Sequence, residues 1–451
     1  MIAAARLAAY EVLRAVNGGR SDLPSALARV RRKLGDERDR ALAGEIAAGT
    51  LRWQGAFDAV IAAFAGRPVD KLDPEILDIL RLTAFQILHL DRIPVSAAVH
   101  DAVDLARKAG KTSAAGLVNA ILRRISRERS HLPLPPRPGG SDRGQTTYLA
   151  ATLSHPEWLV RRWLDRYGFE ATEAWALFDN CPAALTLRAN TLRTSRDDLA
   201  AALASCGVTT TPTRFAPHGL VVTGGNPLLA PLAAEELFVV QDEASQLVAA
   251  LTAVKPGERV LDACASPGGK TTAMAAAMGD VGFIVATDVR GKRVDLLRRT
   301  LAGAGVTCAQ VVQANVAAAL PFRSTFDCVL LDAPCSGLGT LRRDPDIRWR
   351  RTEDSLAPLA TTQVEMLNRT ADVVRPGGRL VYSTCSSEPD EDEEVVDRFL
   401  TTHPEFVRGP ELIPFELEPF RTAEGDFRTF PFRDQLEAFF AAMLVKTKDL
   451  R

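Results

Sequence analysis

Two segments each set a cysteine just past an apolar run: Leu331-Asp332-Ala333-Pro334-Cys335-Ser336-Gly337 and Val381-Tyr382-Ser383-Thr384-Cys385-Ser386. A thiolate is a strong nucleophile, and a carboxyl group beside it can assist an addition by protonating or hydrogen-bonding the substrate. Asp332 is in place for that work, three residues before Cys335. One nucleophilic cysteine, one acid and one base suffice for an addition to an unsaturated carbon and the later expulsion of the thiolate. Any single cysteine is more often a buried, inert residue. Two at adjacent strand ends, beside an acid and in a sheet with a cofactor loop, point to a reactive site.

That loop lies in Arg259-Val260-Leu261-Asp262-Ala263-Cys264-Ala265-Ser266-Pro267-Gly268-Gly269-Lys270-Thr271-Thr272. Residues 260–263 read as a short buried strand, and 270–278 as a helix with Gly279 as its cap. Two glycines between strand and helix are often plain turn chemistry, but they also let a ligand approach the backbone and the helix N-terminus. The spacing matches neither the dinucleotide fingerprint nor the phosphate loop, which disfavours a nicotinamide enzyme or an NTPase. Asp288 ends the next strand, where an acid takes the two hydroxyls of a ribose. A glycine loop without a phosphate signature suits a nucleoside cofactor without phosphates, and S-adenosylmethionine fits both facts.

A sheet must hold these residues. From about 236 to 451, strands and helices alternate. Strands at 283–287, around 311–312, at 326–331 and at 379–383 lead to Asp288, Asn315, Asp332 and Cys385, and 438–445 reads as a terminal buried strand. The alternation predicts an open, largely parallel, Rossmann-like α/β sheet with its chemistry at the carboxyl ends of the strands. Residues 146–235 read as a small α/β module, a platform for substrate, with helices at 156–167 and 170–178 and strands at 184–190 and 219–222. Residues 129–145 form a Pro/Gly-rich linker. Residues 1–128 read as helices only; Asp73-Pro74-Glu75 starts one, and Ile76, Ile79, Leu80, Thr83, Ile87 and Leu90 follow at helical spacing.

Composition sets the bounds. The 451 residues imply two to four domains, and 46% hydrophobic with 25% charged content is ordinary for a soluble globular chain. A formal net charge of −1 gives no whole-chain support for nucleic-acid binding, so any such surface must be a local patch. Seven cysteines without paired short spacing suggest neither a disulfide framework nor a metal site and fit the reducing cytoplasm. No signal peptide or membrane span is expected.

The stretches Glu11-Val12-Leu13, Gly49-Thr50-Leu51-Arg52, Ile79-Leu80-Arg81-Leu82, Leu90-Asp91-Arg92-Ile93-Pro94 and Val118-Asn119-Ala120-Ile121-Leu122-Arg123-Arg124 resemble the NusB fold, which binds RNA or partner proteins. The motifs from about 184 to 445 resemble the RNA cytosine-5 methyltransferases of the NOL1/NOP2/Sun family. With the helical domain in front, the likeness is to the bacterial branch that methylates a cytosine in small-subunit (16S) ribosomal RNA. The resemblance implies that Cys385 is the nucleophile, that Cys335 assists product release as or through the base, and that Asp332 contacts the cytosine near the cofactor. It also implies that Cys264, Ala265, Ser266, Pro267, Gly268, Gly269 and Lys270 line S-adenosylmethionine, that Asp288 holds its ribose, and that Arg293, Asn315 and Asp332 complete the site. DNA cytosine methyltransferases use the Pro-Cys cysteine instead, so Cys385 separates the two families. The chain departs from the family pattern at Ser266, usually alanine, at Asn315, often aspartate, and at Ala438-Phe439-Phe440, usually Gly-Phe-Phe.

The stretch Leu341-Arg342-Arg343-Asp344-Pro345-Asp346-Ile347-Arg348-Trp349-Arg350-Arg351 sets five arginines against two aspartates. Arg342, Arg343, Arg348 and Trp349 are expected to contact RNA phosphates and bases; a solvated loop with Trp349 anchored in a core is the alternative. Glu388-Pro389-Asp390-Glu391-Asp392-Glu393-Glu394 reads as an acidic first helical turn, and His89 and His155 as structural. The expected partner is small-subunit ribosomal RNA, free or partly assembled, with the chain a monomer. The same chemistry on transfer RNA stays open, as does a NusB-type RNA-binding protein with an inactive methyltransferase domain.

Overall fold

Helical spacing from Ile76 to Ile87 predicts one apolar face, but every residue of that stretch is buried. The reason is central placement. Among α1 (Ala4–Asn17), α2 (Leu23–Arg31), α3 (Glu37–Arg52), α4 (Gln54–Ala65), α5 (Pro74–His89), α6 (Val95–Lys108) and α7 (Ala115–Arg127), α5 packs against α1, α3, α4, α6 and α7. Its buried polar side chains are paired, as burial requires. Arg14 donates to Asp78 at 2.9 Å, Arg81 to Asp58 at 2.6 Å, and Arg6 to Gln86 at 2.7 Å. Pro74 opens α5 as expected, but the Asp73 side chain makes no cap bond and instead meets Lys111 at 3.1 Å.

The computed structural model describes residues 2–139, 144–233, 235–322, 325–409 and 413–448; residues 140–143 of the expected linker lie outside the described residues. The chain forms two compact units, Met1–Pro182 with Leu341–Glu353, and Ala183–Thr340 with Asp354–Arg451. The helix α8 (Glu157–Asn180), bent at Gly168 with φ +75°, belongs to the first unit.

So does the arginine-rich stretch, and this corrects the reading of Arg348 and Trp349. Arg348 is fully buried. Its guanidinium donates to the carbonyls of Arg52, Ser154 and Asp179 and to the Asn180 side chain. The Trp349 indole donates to the Leu51 carbonyl at 2.6 Å. Arg342 stacks over Phe178, and its carbonyl accepts from Arg52 at 3.0 Å. Arg343 is half-buried. Arg348 and Trp349 are anchors of the helical unit: both terminal nitrogens of Arg348 and the Trp349 indole N–H donate to protein acceptors.

The second unit holds two sheets. The small one runs β2 (Thr209–Pro212), β3 (Gly219–Gly224), β1 (Thr186–Ala189), β4 (Phe238–Val240), all antiparallel. It closes with β4, past the boundary expected at 235. The helix α9 (Arg196–Ser205) covers it, with Leu199 and Leu203 packed on Leu187 and Leu220.

The large sheet carries β5 (Arg259–Asp262), β6 (Phe283–Asp288), β7 (Ala309–Gln313), β8 (Phe326–Asp332), β9 (Val374–Thr384), β10 (Phe406–Arg408), β11 (Phe427–Arg428) and β12 (Phe440–Lys446). Their order is β10-β12-β9-β8-β5-β6-β7, with β11 also paired to β12. The five from β9 to β7 are parallel, as the alternation predicts, and β12 joins antiparallel against β9. The helices α10 (Glu243–Leu251), α11 (Gly269–Ala277), α12 (Gly291–Ala304) and α13 (Leu356–Ala371) pack on this sheet. The middle residues of its central strands, such as Val260, Leu261, Val329, Leu330 and Val381, are apolar because both faces are covered. No described helix is long and apolar enough to cross a membrane.

Candidate active site

Parallel strands bring their carboxyl ends to one edge. The register pairs Asp262 with Leu330 and Asp332 with Ser383, so the acids of β5 and β8 and the residue after β9 end together. There Lys270 donates to Asp332 Oδ2 at 2.6 Å and the Ser383 hydroxyl to Oδ1 at 2.9 Å. The Cys335 and Cys385 sulfurs lie 3.4 Å apart. The expected catalytic set, Cys335, Cys385 and Asp332, therefore sits in one cluster with Lys270.

Donation of the Cys335 S–H to the Cys385 sulfur, together with burial, holds the Cys335 thiol well above its ordinary value. Burial alone would lower the Lys270 ammonium, but Asp332 foremost, then Cys385 and Asp262, raise it. The Lys270 cation thus stands in the same cluster as the two sulfurs. Burial pushes Cys264 well up, and Cys328 to about 12, so neither competes as a nucleophile.

The glycine loop starts α11. Gly268 has φ +111°, and a Cβ there would come within 3.1 Å of Leu297 and Thr300, so only glycine fits the turn. Asp262 accepts from the Thr271 hydroxyl at 2.6 Å, which pins the first turn of the helix to β5; burial raises its carboxyl to about 7. Asp288 is buried at the end of β6, with Oδ1 accepting from the Arg290 N–H at 3.0 Å and Arg293 3.7 Å from Oδ2. Arg293 therefore answers Asp288. Ser266 donates to the Arg293 carbonyl at 3.1 Å, and Asn315, exposed, turns its side-chain oxygen to the Ala317 N–H at 3.1 Å.

These residues fit a nucleoside cofactor without phosphates. The loop's one lysine is committed to Asp332, so the loop offers no cation to a phosphate, while a buried strand-end carboxylate remains for a ribose. Among the described residues, no group of three or more His, Cys, Asp or Glu side chains could hold a metal ion.

Arg188, Glu391 and Asp392 were not legible as site residues. Arg188, buried on β1, donates to the Gly269 carbonyl at 3.3 Å, the Thr272 hydroxyl at 2.6 Å and Gln241 at 2.7 Å. It locks the small sheet to the glycine loop; a lone arginine inside an apolar strand was its only signal. Glu391 and Asp392 are fully buried; the expected acidic first helical turn is made by Glu393 and Glu394 at the start of the helix Glu393–Thr402.

Lys270→Met keeps much of the side-chain volume but removes the charge. Methyl transfer in a single turnover is expected to fall about 10²- to 10³-fold, with a smaller loss of cofactor affinity. Rapid-quench assays beside equilibrium cofactor binding check this.

Residues 249–445 match the family model described as 16S rRNA methyltransferase RsmB/F, 3–127 match the NusB family, and 155–228 match the ferredoxin-like domain of RsmF/B-like methyltransferases. The chain is 35% identical to the "Probable ribosomal RNA small subunit methyltransferase B" of Synechocystis over 98% of this chain and 99% of that one. It is 36% identical to the ribosomal RNA small subunit methyltransferase B of Pseudomonas putida over 88% and 89%. The crystal structure of PH0851 superposes on it with TM-score 0.81 at 27% identity, covering 99% of both chains. With two curated relatives above a third identical along most of their length, and a NusB domain, a ferredoxin-like module and a methyltransferase sheet in the same order, the chain belongs to the RsmB/F family of 16S rRNA methyltransferases.

Proposed function

We propose that this chain methylates carbon 5 of a cytosine in small-subunit ribosomal RNA, using S-adenosylmethionine and a covalent cysteine–cytosine adduct. The observation that carries the reading is the pair of thiols 3.4 Å apart beside the Lys270–Asp332 pair. A simple cofactor-binding sheet needs neither cysteine.

Cytosine carbon 5 is a poor nucleophile. The Cys385 thiolate adds to carbon 6, while Asp332 interacts at N3 and draws electron density from the ring. Carbon 5 then has enamine character and can take a methyl group. The cofactor, when bound, supplies that group as an electrophilic sulfonium methyl. Asp288 would hold the ribose, and the loop from Cys264 to Lys270 would line the remainder. A base then takes the carbon 5 proton, the electron pair of that bond re-forms the carbon 5–carbon 6 double bond, and Cys385 leaves as the thiolate; Cys335 assists as or through that base. The target base must leave any stack to reach the sulfur, so RNA that exposes it is preferred. The relatives' names support ribosomal RNA over transfer RNA. We place the reaction in the cytoplasm.

The test is methyl transfer from labelled S-adenosylmethionine to three RNAs: deproteinised 16S ribosomal RNA, assembled small subunits and bulk transfer RNA. The expected outcome is 5-methylcytosine in the first, read by nucleoside analysis and bisulfite sequencing. Label confined to transfer RNA would overturn the substrate. Cofactor binding without transfer to any RNA would support an RNA-binding protein with a silent methyltransferase domain.

A further inference from the structure

The acidic run after Cys385 reaches into the two-cysteine site. Glu391 is fully buried. Its Oε1 accepts the backbone N–H of Ser336, the residue after Cys335, at 2.8 Å, and the Gln363 side-chain amide at 3.0 Å. Its Oε2 accepts the hydroxyl of Ser386, the residue after Cys385, at 2.6 Å.

The hydrogens have one consistent direction. Ser386 gives its single hydroxyl proton to Glu391, so in the 3.2 Å contact between Ser336 Oγ and Ser386 Oγ the Ser336 hydroxyl donates. Ser386 also accepts the Glu388 N–H at 3.1 Å, and Ser336 Oγ accepts the Leu338 N–H at 3.4 Å. The chain of donors ends on the carboxylate. Gln363 extends the tie by donating to the Pro334 carbonyl at 3.0 Å. A backbone seam runs beside it, from the Gly339 N–H to the Cys385 carbonyl at 2.9 Å; a Cβ on Gly339 would sit 2.1 Å from the Ala438 carbonyl oxygen.

We propose that Glu391 is the positioning residue of this site: one buried carboxylate ties the Cys335 loop to the Cys385 loop and sets the separation of their sulfurs. Its catalytic consequence rests on the covalent reading above; its geometric consequence does not. Donors aimed at a buried carboxylate are costly to leave unmade, so the two loops are held together. A misplacement of about 1 Å in a reacting group can cost about 10²-fold in rate.

The test uses full-length wild type, Glu391→Gln and Ser386→Ala. Diamide removes the two thiol hydrogens as it is reduced to the hydrazine, joining sulfurs that are close enough. The Cys335–Cys385 disulfide is then followed by peptide mass spectrometry. Both variants are expected to form it at least about fivefold more slowly, and to methylate at least about tenfold more slowly in a single turnover, with the S-adenosylmethionine dissociation constant within about twofold. The double variant should be little worse than Glu391→Gln, because both changes cut one chain. Wild-type cross-linking in both variants would overturn the proposal. So would loss of cofactor affinity in step with rate, which marks a general fold element. If wild type methylates no RNA, the cross-linking rates still decide the positioning role, and only the covalent reading fails.

Discussion

Cys335→Ala is expected to accumulate a protein–RNA species that survives denaturing electrophoresis and disappears with ribonuclease; Cys385→Ala is expected to form none. The Cys335 sulfur is 3.4 Å from that of Cys385 and keeps its proton because Cys385 and burial hold its pKa up. It is therefore poorly suited to attack first and well placed to serve release. Without it, addition and methyl transfer proceed but the thiolate is not expelled, and turnover is expected to fall about 10²- to 10⁴-fold, the range of one acid–base contribution. Loss of Cys385 removes the covalent route, with an expected loss of about 10⁴-fold or more. Both variants should bind S-adenosylmethionine, because neither residue is in the glycine loop. The decisive readout is a gel of protein from cells expressing each variant, followed by sequencing of the attached RNA. Adduct in Cys385→Ala and none in Cys335→Ala would reverse the roles. Adduct in neither would remove support for covalent catalysis.

The parts of this molecule that sequence reveals are those set by chain direction. A parallel strand delivers its last residue to a known edge, so Asp288, Asp332 and Cys385 could be placed from apolar runs and the turns after them. Gly268 could be placed because only glycine takes its backbone conformation. What could not be read depends on partners distant in the chain. Arg348 looks like a surface cation until the chain brings Arg52, Ser154 and Asn180 around it. Glu391 looks like a helix-end charge until Ser336, 55 residues earlier, points its N–H at it. Charge patterning assumes solvent; a buried, hydrogen-bonded ion defeats it. Arg188 is the same lesson on a strand, since its apolar neighbours announced burial but not the glycine loop as its partner.

The arginine-rich stretch makes the contrast measurable. Arg348→Ala should lower stability by about 3 to 5 kcal/mol, seen as a lower Tm of the first unit. The guanidinium is fully buried, and burial lowers it to about 10, against the pull of Asp179, so it is still a cation at neutral pH. Removing it leaves acceptors on Arg52, Ser154, Asp179 and Asn180 without their charged donor. Arg348→Lys should rescue little, because one ammonium cannot reproduce the planar fork. The deficit should also depend on pH. The His155 Nδ1 lies 2.7 Å from the Leu153 carbonyl and must carry a hydrogen, so a neutral ring turns a bare Nε2 toward Asp179 at 3.4 Å. Burial drives His155 down and raises Asp179 to about 7, which leaves the proton between them on the carboxyl group. A carboxyl raised in the folded state contributes stability that is complete below its ordinary value of 3.8 and lost as pH rises through about 7. Arg348 opposes that rise and also lowers His155. Without Arg348, Asp179 moves further up and His155 accepts a proton more readily. Both effects favour acid, so the Tm deficit of Arg348→Ala should be larger at pH 9 than at pH 6. An arginine that contacts RNA behaves otherwise: its loss leaves Tm unchanged, weakens RNA binding at every sequence and reduces the salt dependence by about one phosphate contact. Melting curves at the two pH values, with RNA titrations across salt concentration, separate the cases. An unchanged Tm with a shallower salt slope would return Arg348 to the RNA.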